Sequence, residues 1–140
     1  MAQPVRFPYT PADTTAASLM PRLALLLSYQ EQSVEVVGLL DTGAAVNVLP
    51  YPVGLALGAD WNAHTTTIPV TGSLGRLEAR ALVLLASHPQ LTPDHPVRLV
   101  FAWTRVDDVP VIFGQTNFFM EFNVCFYRSH TAFEVHPKGG

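Results

Sequence analysis

The chain has 140 residues, 49% of them hydrophobic and 14% charged, with a net charge of −3. That length holds one compact domain, is too short for two, and buries a normal core without help from a metal or a disulfide. The eight Lys and Arg residues are scattered, which leaves no footprint for nucleic acid, and no apolar stretch reaches the length of a membrane span.

Residues 1–18 carry Pro4, Pro8 and Pro11 among Thr and Ala, and read as an extended arm rather than a packed element. The domain is expected over residues 19–137, with a fraying tail at 138–140. Residues 22–29, rich in Leu, and residues 34–40 read as strands, and the second is apolar on both sides, as in a strand buried on both faces. Residues 46–49 resume an apolar strand that Pro50 and Pro52 end, and 52–57 read as one helical turn stopped by Gly58. Two strands, 65–70 and 77–85, flank a hairpin tip bracketed by Gly72 and Gly75. After a loop at 87–95 come strands at 97–103 and 109–113, separated by a solvated Asp107-Asp108 turn. Residues 115–122 have helical composition, with Phe118, Phe119 and Phe122 as a core stripe, and a last hairpin joins 124–128 to 132–136. The sum is a mainly β domain with one short helix near its C-terminal end.

Several chemistries lack their residues. His64, His88, His95, His130 and His136 show no zinc-ligand spacing, so no metal site is expected. The single cysteine, Cys125, excludes an internal disulfide and reads as a small buried hydrophobe. There is neither a phosphate-cradling glycine loop nor a serine nucleophile elbow, so no cofactor is expected. Arg76 and Arg80, four apart on a strand, read as a solvated outer face. No signal-like segment opens the sequence, and the expected compartment is the cytoplasm.

The chemistry concentrates in Leu39-Leu40-Asp41-Thr42-Gly43-Ala44. An apolar strand delivers a carboxylate into a turn of small residues, and a second apolar strand leaves it. An ordinary surface turn also uses Asp and Gly, but needs neither a buried entry nor a buried exit. Gly43 permits a backbone path that a Cβ would hinder, the Thr42 hydroxyl can brace the turn, and Ala44 keeps the floor small. Hydrolysis of a peptide bond by carboxylates requires two of them sharing one proton. The motif occurs once, so two copies of the chain are needed.

A second stretch, Val109-Pro110-Val111-Ile112-Phe113-Gly114-Gln115 followed by Asn117-Phe118-Phe119 and Phe122-Asn123-Val124, completes a pattern. Together the two stretches resemble the retropepsin-like (retroviral-type) aspartic protease family, its cellular and bacterial members more than the viral ones. The resemblance spans about residues 20–136. It implies a small closed β-barrel-like fold with a flap hairpin at 71–76, and a homodimer that acts on peptide or protein substrates. Asp41, one from each subunit, would be catalytic, Thr42 would hydrogen-bond across the two-fold axis, and Gly43 would contact substrate main chain. Ala44, Val46, Val48 and Ile112, with Gly72 and Leu74 of the flap, would line apolar subsites. Viral members carry a paired acid and arginine where this chain has Ala45 and Gln115. Both charges are absent together, which leaves no lone buried ion. A non-catalytic dimeric module of the same fold, binding peptides or scaffolding, is the alternative.

Overall fold

The computed structural model describes residues 3–12, 19–70 and 77–138. Six strands close into a barrel: β2 (Arg22–Tyr29), β3 (Gln32–Leu40), β4 (Asn47–Leu49), β5 (Ala79–Ser87), β6 (Val97–Thr104) and β7 (Ile112–Phe113). Their order around the barrel is β2-β3-β7-β4-β6-β5, and β5 returns to pair with β2. Alternation selects the inward residues. Leu23, Leu25 and Leu27 of β2, Leu82 and Leu84 of β5, and Leu99 and Phe101 of β6 are all at most 1% exposed.

β3 departs from the expectation of two buried faces. Val36, Gly38 and Leu40 point inward, whereas Val37 is 55% exposed. A closed barrel has one interior, so only one face of each strand can enter it.

Outside the barrel lies a three-stranded antiparallel sheet of β1 (Val5–Pro8), β9 (Ala132–Pro137) and β8 (Phe122–Tyr127), in that order. The proline-rich N-terminal segment is therefore extended, as expected, but part of it is packed. Val5 pairs with Val135 and Phe7 with Phe133, and Tyr9 beyond them is buried. The reason is the alternation Val5, Phe7, Tyr9, which supplies an apolar face despite the flanking prolines. Phe7 stacks on Phe133 and meets the His88 ring edge-on, each at 5.4 Å. Burial there pushes the His88 pKa below its ordinary value.

Among the described residues two short α-helices occur, α1 (Tyr51–Ala56) and α2 (Phe118–Glu121). The helix expected over 115–122 shrinks to four residues for a specific reason. Gln115 and Thr116 donate their N–H groups to the carbonyls of Ala44 and Ala45, which draws them out of any helical ladder. Phe118 and Phe122 stack at 4.8 Å in the core as expected. The segment 65–70 is not a regular strand; it is held by bridges from Thr67 to Arg80 and from Val70 to Leu77. Gly72, Leu74 and Arg76 of the expected flap lie outside the described residues.

Two side-chain expectations change. Cys125 is exposed, on the face of β8 opposite the inward Phe122 and across from Glu134. Arg80 is not a solvated outer residue. Its guanidinium lies 4.5 Å from the Trp61 ring and donates to the Trp61 carbonyl at 2.7 Å. Trp61 in turn meets Trp103 edge-on at 5.2 Å, and both indoles are buried. Among the described residues, no helix is long and apolar enough to cross a membrane.

Candidate active site

The barrel positions Asp41 through an unusual strand order. β7 comes late in the chain yet lies between β3 and β4. It runs parallel to β3, with Leu39 opposite Ile112 and Leu40 opposite Phe113, and antiparallel to β4, with Val48 opposite Ile112. The Asp41–Ala44 turn thus leaves β3 where β7 ends. The Asp41 N–H donates to the Phe113 carbonyl at 3.0 Å, fixing the start of the turn to β7.

Inside the turn the bonds are local. The Ala44 N–H donates to the Asp41 carbonyl at 3.1 Å, and the Gly43 N–H donates to Asp41 Oδ1 at 2.9 Å. The second bond holds one carboxylate oxygen and leaves the other, Oδ2, without a recorded partner among the described residues. Asp41 is half-buried, while Thr42 and Gly43 are exposed. A Cβ on Gly43 would sit 3.3 Å from that same Oδ1, a tight contact beside the acceptor.

The return path is held by Gly114. A Cβ there would lie 2.3 Å from the Val46 carbonyl oxygen and 2.8 Å from that of Ala44, so only glycine lets the two backbones pass. The Gln115 and Thr116 N–H groups bond to the Ala44 and Ala45 carbonyls, each at 2.9 Å, and the Asn47 N–H bonds to the Thr116 carbonyl at 2.9 Å. Gly38 makes a matching approach from the other side, because a Cβ on it would enter the Phe113 ring.

Three amide side chains brace this crossing. Asn47, wholly buried, accepts the Gly114 N–H at 2.8 Å and donates to the Val100 carbonyl at 2.9 Å and to Asn117 Oδ1 at 3.2 Å. Asn117 Oδ1 also accepts the Val100 N–H at 2.9 Å, and its amide donates to the Arg98 carbonyl at 2.9 Å. Gln115 reaches back to donate to the Thr42 carbonyl at 2.8 Å. Gln115 is thus a neutral amide that ties the turn directly. The Thr42 hydroxyl makes no hydrogen bond to the described residues, so the bracing expected of it comes from Gln115.

Of the residues expected to line the site, the fold gathers Asp41, Thr42, Gly43, Ala44, Val46, Val48 and Ile112 around the one crossing. Ala44, Val46 and Ile112 are half-buried, and Val48 is buried. Gly72 and Leu74 fall outside the described residues. Sequence reasoning passed over Asn47 and Asn117. The available signal was a polar residue inside the apolar run Val46-Asn47-Val48-Leu49, because a buried amide must be fully bonded. Among the described residues, no three His, Cys, Asp or Glu side chains gather to hold a metal.

Comparison with solved structures identifies the architecture. A retropepsin-like aspartic protease from Rickettsia conorii superposes with a TM-score of 0.61 at 11% identity, covering 93% of this chain and 98% of that one. The EIAV protease complexed with the inhibitor HBY-793 aligns with a TM-score of 0.47 at 21% identity, over 74% of this chain and 88% of that one. The chain has the retropepsin-like fold. No protein-family model and no curated protein sequence matches it.

Proposed function

We propose that this protein is an aspartic endopeptidase that acts as a homodimer, with one Asp41 from each subunit forming the catalytic pair. The carrying observation is the Asp41 carboxylate at the strand crossing of a retropepsin-like fold, one oxygen held by the Gly43 N–H. Two such carboxylates brought close cannot both ionise, so the pair shares one proton. The ionised member takes a proton from a water, whose oxygen bonds to the scissile carbonyl carbon. The protonated member donates to the carbonyl oxygen. The C–N bond then breaks as the amine takes up a proton. Ala44, Val46 and Ile112, half-buried beside the turn, support apolar side chains around the cleaved bond.

Digestion of a mixed peptide library from acidic to neutral pH tests the reading. Wild type cleaves, with a specific activity that falls on dilution. Asp41→Asn loses about 10³-fold or more in rate, because it removes the group that accepts the water proton. Equal cleavage by the variant sinks the proposal. A folded dimer without cleavage at any pH turns it toward the non-catalytic module.

A further inference from the structure

Alternation along an antiparallel strand ordinarily turns polar side chains to the outer wall. The outer wall of β2 and β5 departs from that. Leu26 and Leu85 point outward and are 41% and 45% exposed, and Val37 of β3 and Val83 of β5, also exposed, extend the apolar surface at its two ends. The register makes the surface contiguous. Leu26 lies opposite Ser87, and Ser28 opposite Leu85, so the two leucines are diagonal neighbours within reach of each other. Beside them runs a groove of about 500 Å³, lined by Leu26 and Glu35 of the barrel and by Pro89 and Pro93 of the loop after β5. A continuous aliphatic patch rimmed by polar residues is the mark of a docking surface.

The register carries the patch on to two charges. Glu35 of β3 lies opposite Leu26, and Arg98 of β6 lies opposite Leu85. Across β3, β2, β5 and β6 the row therefore runs Glu35, Leu26, Leu85, Arg98: an acid, two leucines and a base. Both charged residues are exposed. Among the described residues, neither side chain has an ion-pair or hydrogen-bond partner within its own chain.

We infer that this outer face docks a second copy of the chain, about a two-fold axis that lies in the contact plane between Leu26 and Leu85. Such an axis reverses the row, so Glu35 meets Arg98 of the second copy at both ends and the leucines meet in the middle. Glu35 and Arg98 stand about three strand spacings apart, roughly 14 Å, and the two ion pairs flank the leucines as a polar rim flanks an apolar centre. Charge selects this occupant. A partner of one sign, such as an anionic membrane or a basic peptide, matches one flank of the row and opposes the other, whereas a second copy matches both. The face also points away from the Asp41 crossing. In the six-strand ring β5 stands across from β7, and β2 across from β4. The contact is therefore separate from the pairing of the Asp41 turns and does not rest on it; where that pairing forms, this contact links one dimer to the next.

A charge exchange read by sedimentation over a range of concentrations tests the contact. Glu35→Arg sets guanidinium against guanidinium at both ends of the row, and Arg98→Glu sets carboxylate against carboxylate. Each should raise the dissociation constant of self-association about tenfold or more. The two substitutions together restore opposite charges at both ends, and should bring that constant back to within about threefold of wild type. Leu26→Gln, at the centre of the row, should weaken association about tenfold. All three positions are exposed, so melting temperatures at high dilution should stay near that of wild type. Should a reversal not fold, Glu35→Gln removes the charge without adding another and should raise the constant about threefold.

Self-association that ignores these substitutions overturns the contact, and so does a double exchange as weak as the single reversals. A chain that stays monomeric at all concentrations overturns it as well. The two proposals fail separately. Cleavage that depends on Asp41, from an assembly indifferent to Glu35, Leu26 and Arg98, removes this contact and keeps the peptidase. Assembly that follows the charge exchange, without cleavage at any pH, keeps the contact and removes the peptidase.

Discussion

The Asp41 turn and the tip of the β8–β9 hairpin are both tight turns between strands, and they are held in opposite ways. The hairpin tip is closed by near neighbours. Residues 128–130 form one 3₁₀ turn, the Thr131 N–H donates to the Arg128 carbonyl at 3.0 Å, and Thr131 takes a left-handed φ of 46° to re-enter the sheet. The Asp41 turn has its own two bonds but is fixed in place from about seventy positions away in sequence, by Phe113, Gly114 and Gln115. A turn that must only reverse the chain can be local. A turn that must aim a carboxylate is clamped by the rest of the fold.

Substitutions sharpen that contrast. The largest loss is expected for Gly114→Ala, whose Cβ would overlap the Val46 carbonyl oxygen. Separating two backbones by that much should cost about 3 kcal/mol or more, read as a fall in urea midpoint with an unchanged slope. Asn47→Ala follows, since it leaves the buried Gly114 N–H without its acceptor and the Val100 carbonyl without a donor. A loss of about 2–4 kcal/mol is expected in the same measurement. Gln115→Ala removes an exposed bond, so stability should change by only about 0.5 kcal/mol. Its effect belongs in the peptidase assay, where a loosened Thr42 should lower kcat/KM about tenfold with little change in melting temperature. Thr131→Gly is the smallest. Relief of the left-handed strain and added freedom of the unfolded chain nearly cancel, leaving a change within about 0.5 kcal/mol and no effect on cleavage. If Thr131→Gly proved as costly as Asn47→Ala, the distinction between the two turns would collapse.

The same contrast explains what the sequence made legible. The strand entering the turn, the Asp-Thr-Gly itself, the Gly114 stretch and the closing hairpin all announce themselves through local patterns of alternation, small residues and turn formers. What stayed hidden depends on partners far along the chain. Gln115 looked helical because nothing nearby shows that its N–H is taken by Ala44. Arg80 looked solvated because Trp61 lies nineteen positions away and packs beneath it only after the barrel closes. The N-terminal prolines concealed a strand because its apolar face is completed by Phe133. Val37 looked buried because hydrophobicity marks a strand but does not say whether one side or two will be covered.

The insertion of β7 between β3 and β4 also sets a clock on the site. Leu39 and Ile112 are register partners separated by more than half the chain, and the acceptor for the Asp41 amide is the Phe113 carbonyl. During synthesis the Asp41 turn emerges early, but the residues that hold it arrive only with Phe113, Gly114 and Gln115. A nascent chain therefore carries the carboxylate for about half of its translation without the clamp that aims it, and the geometry of the crossing is withheld until the barrel can close.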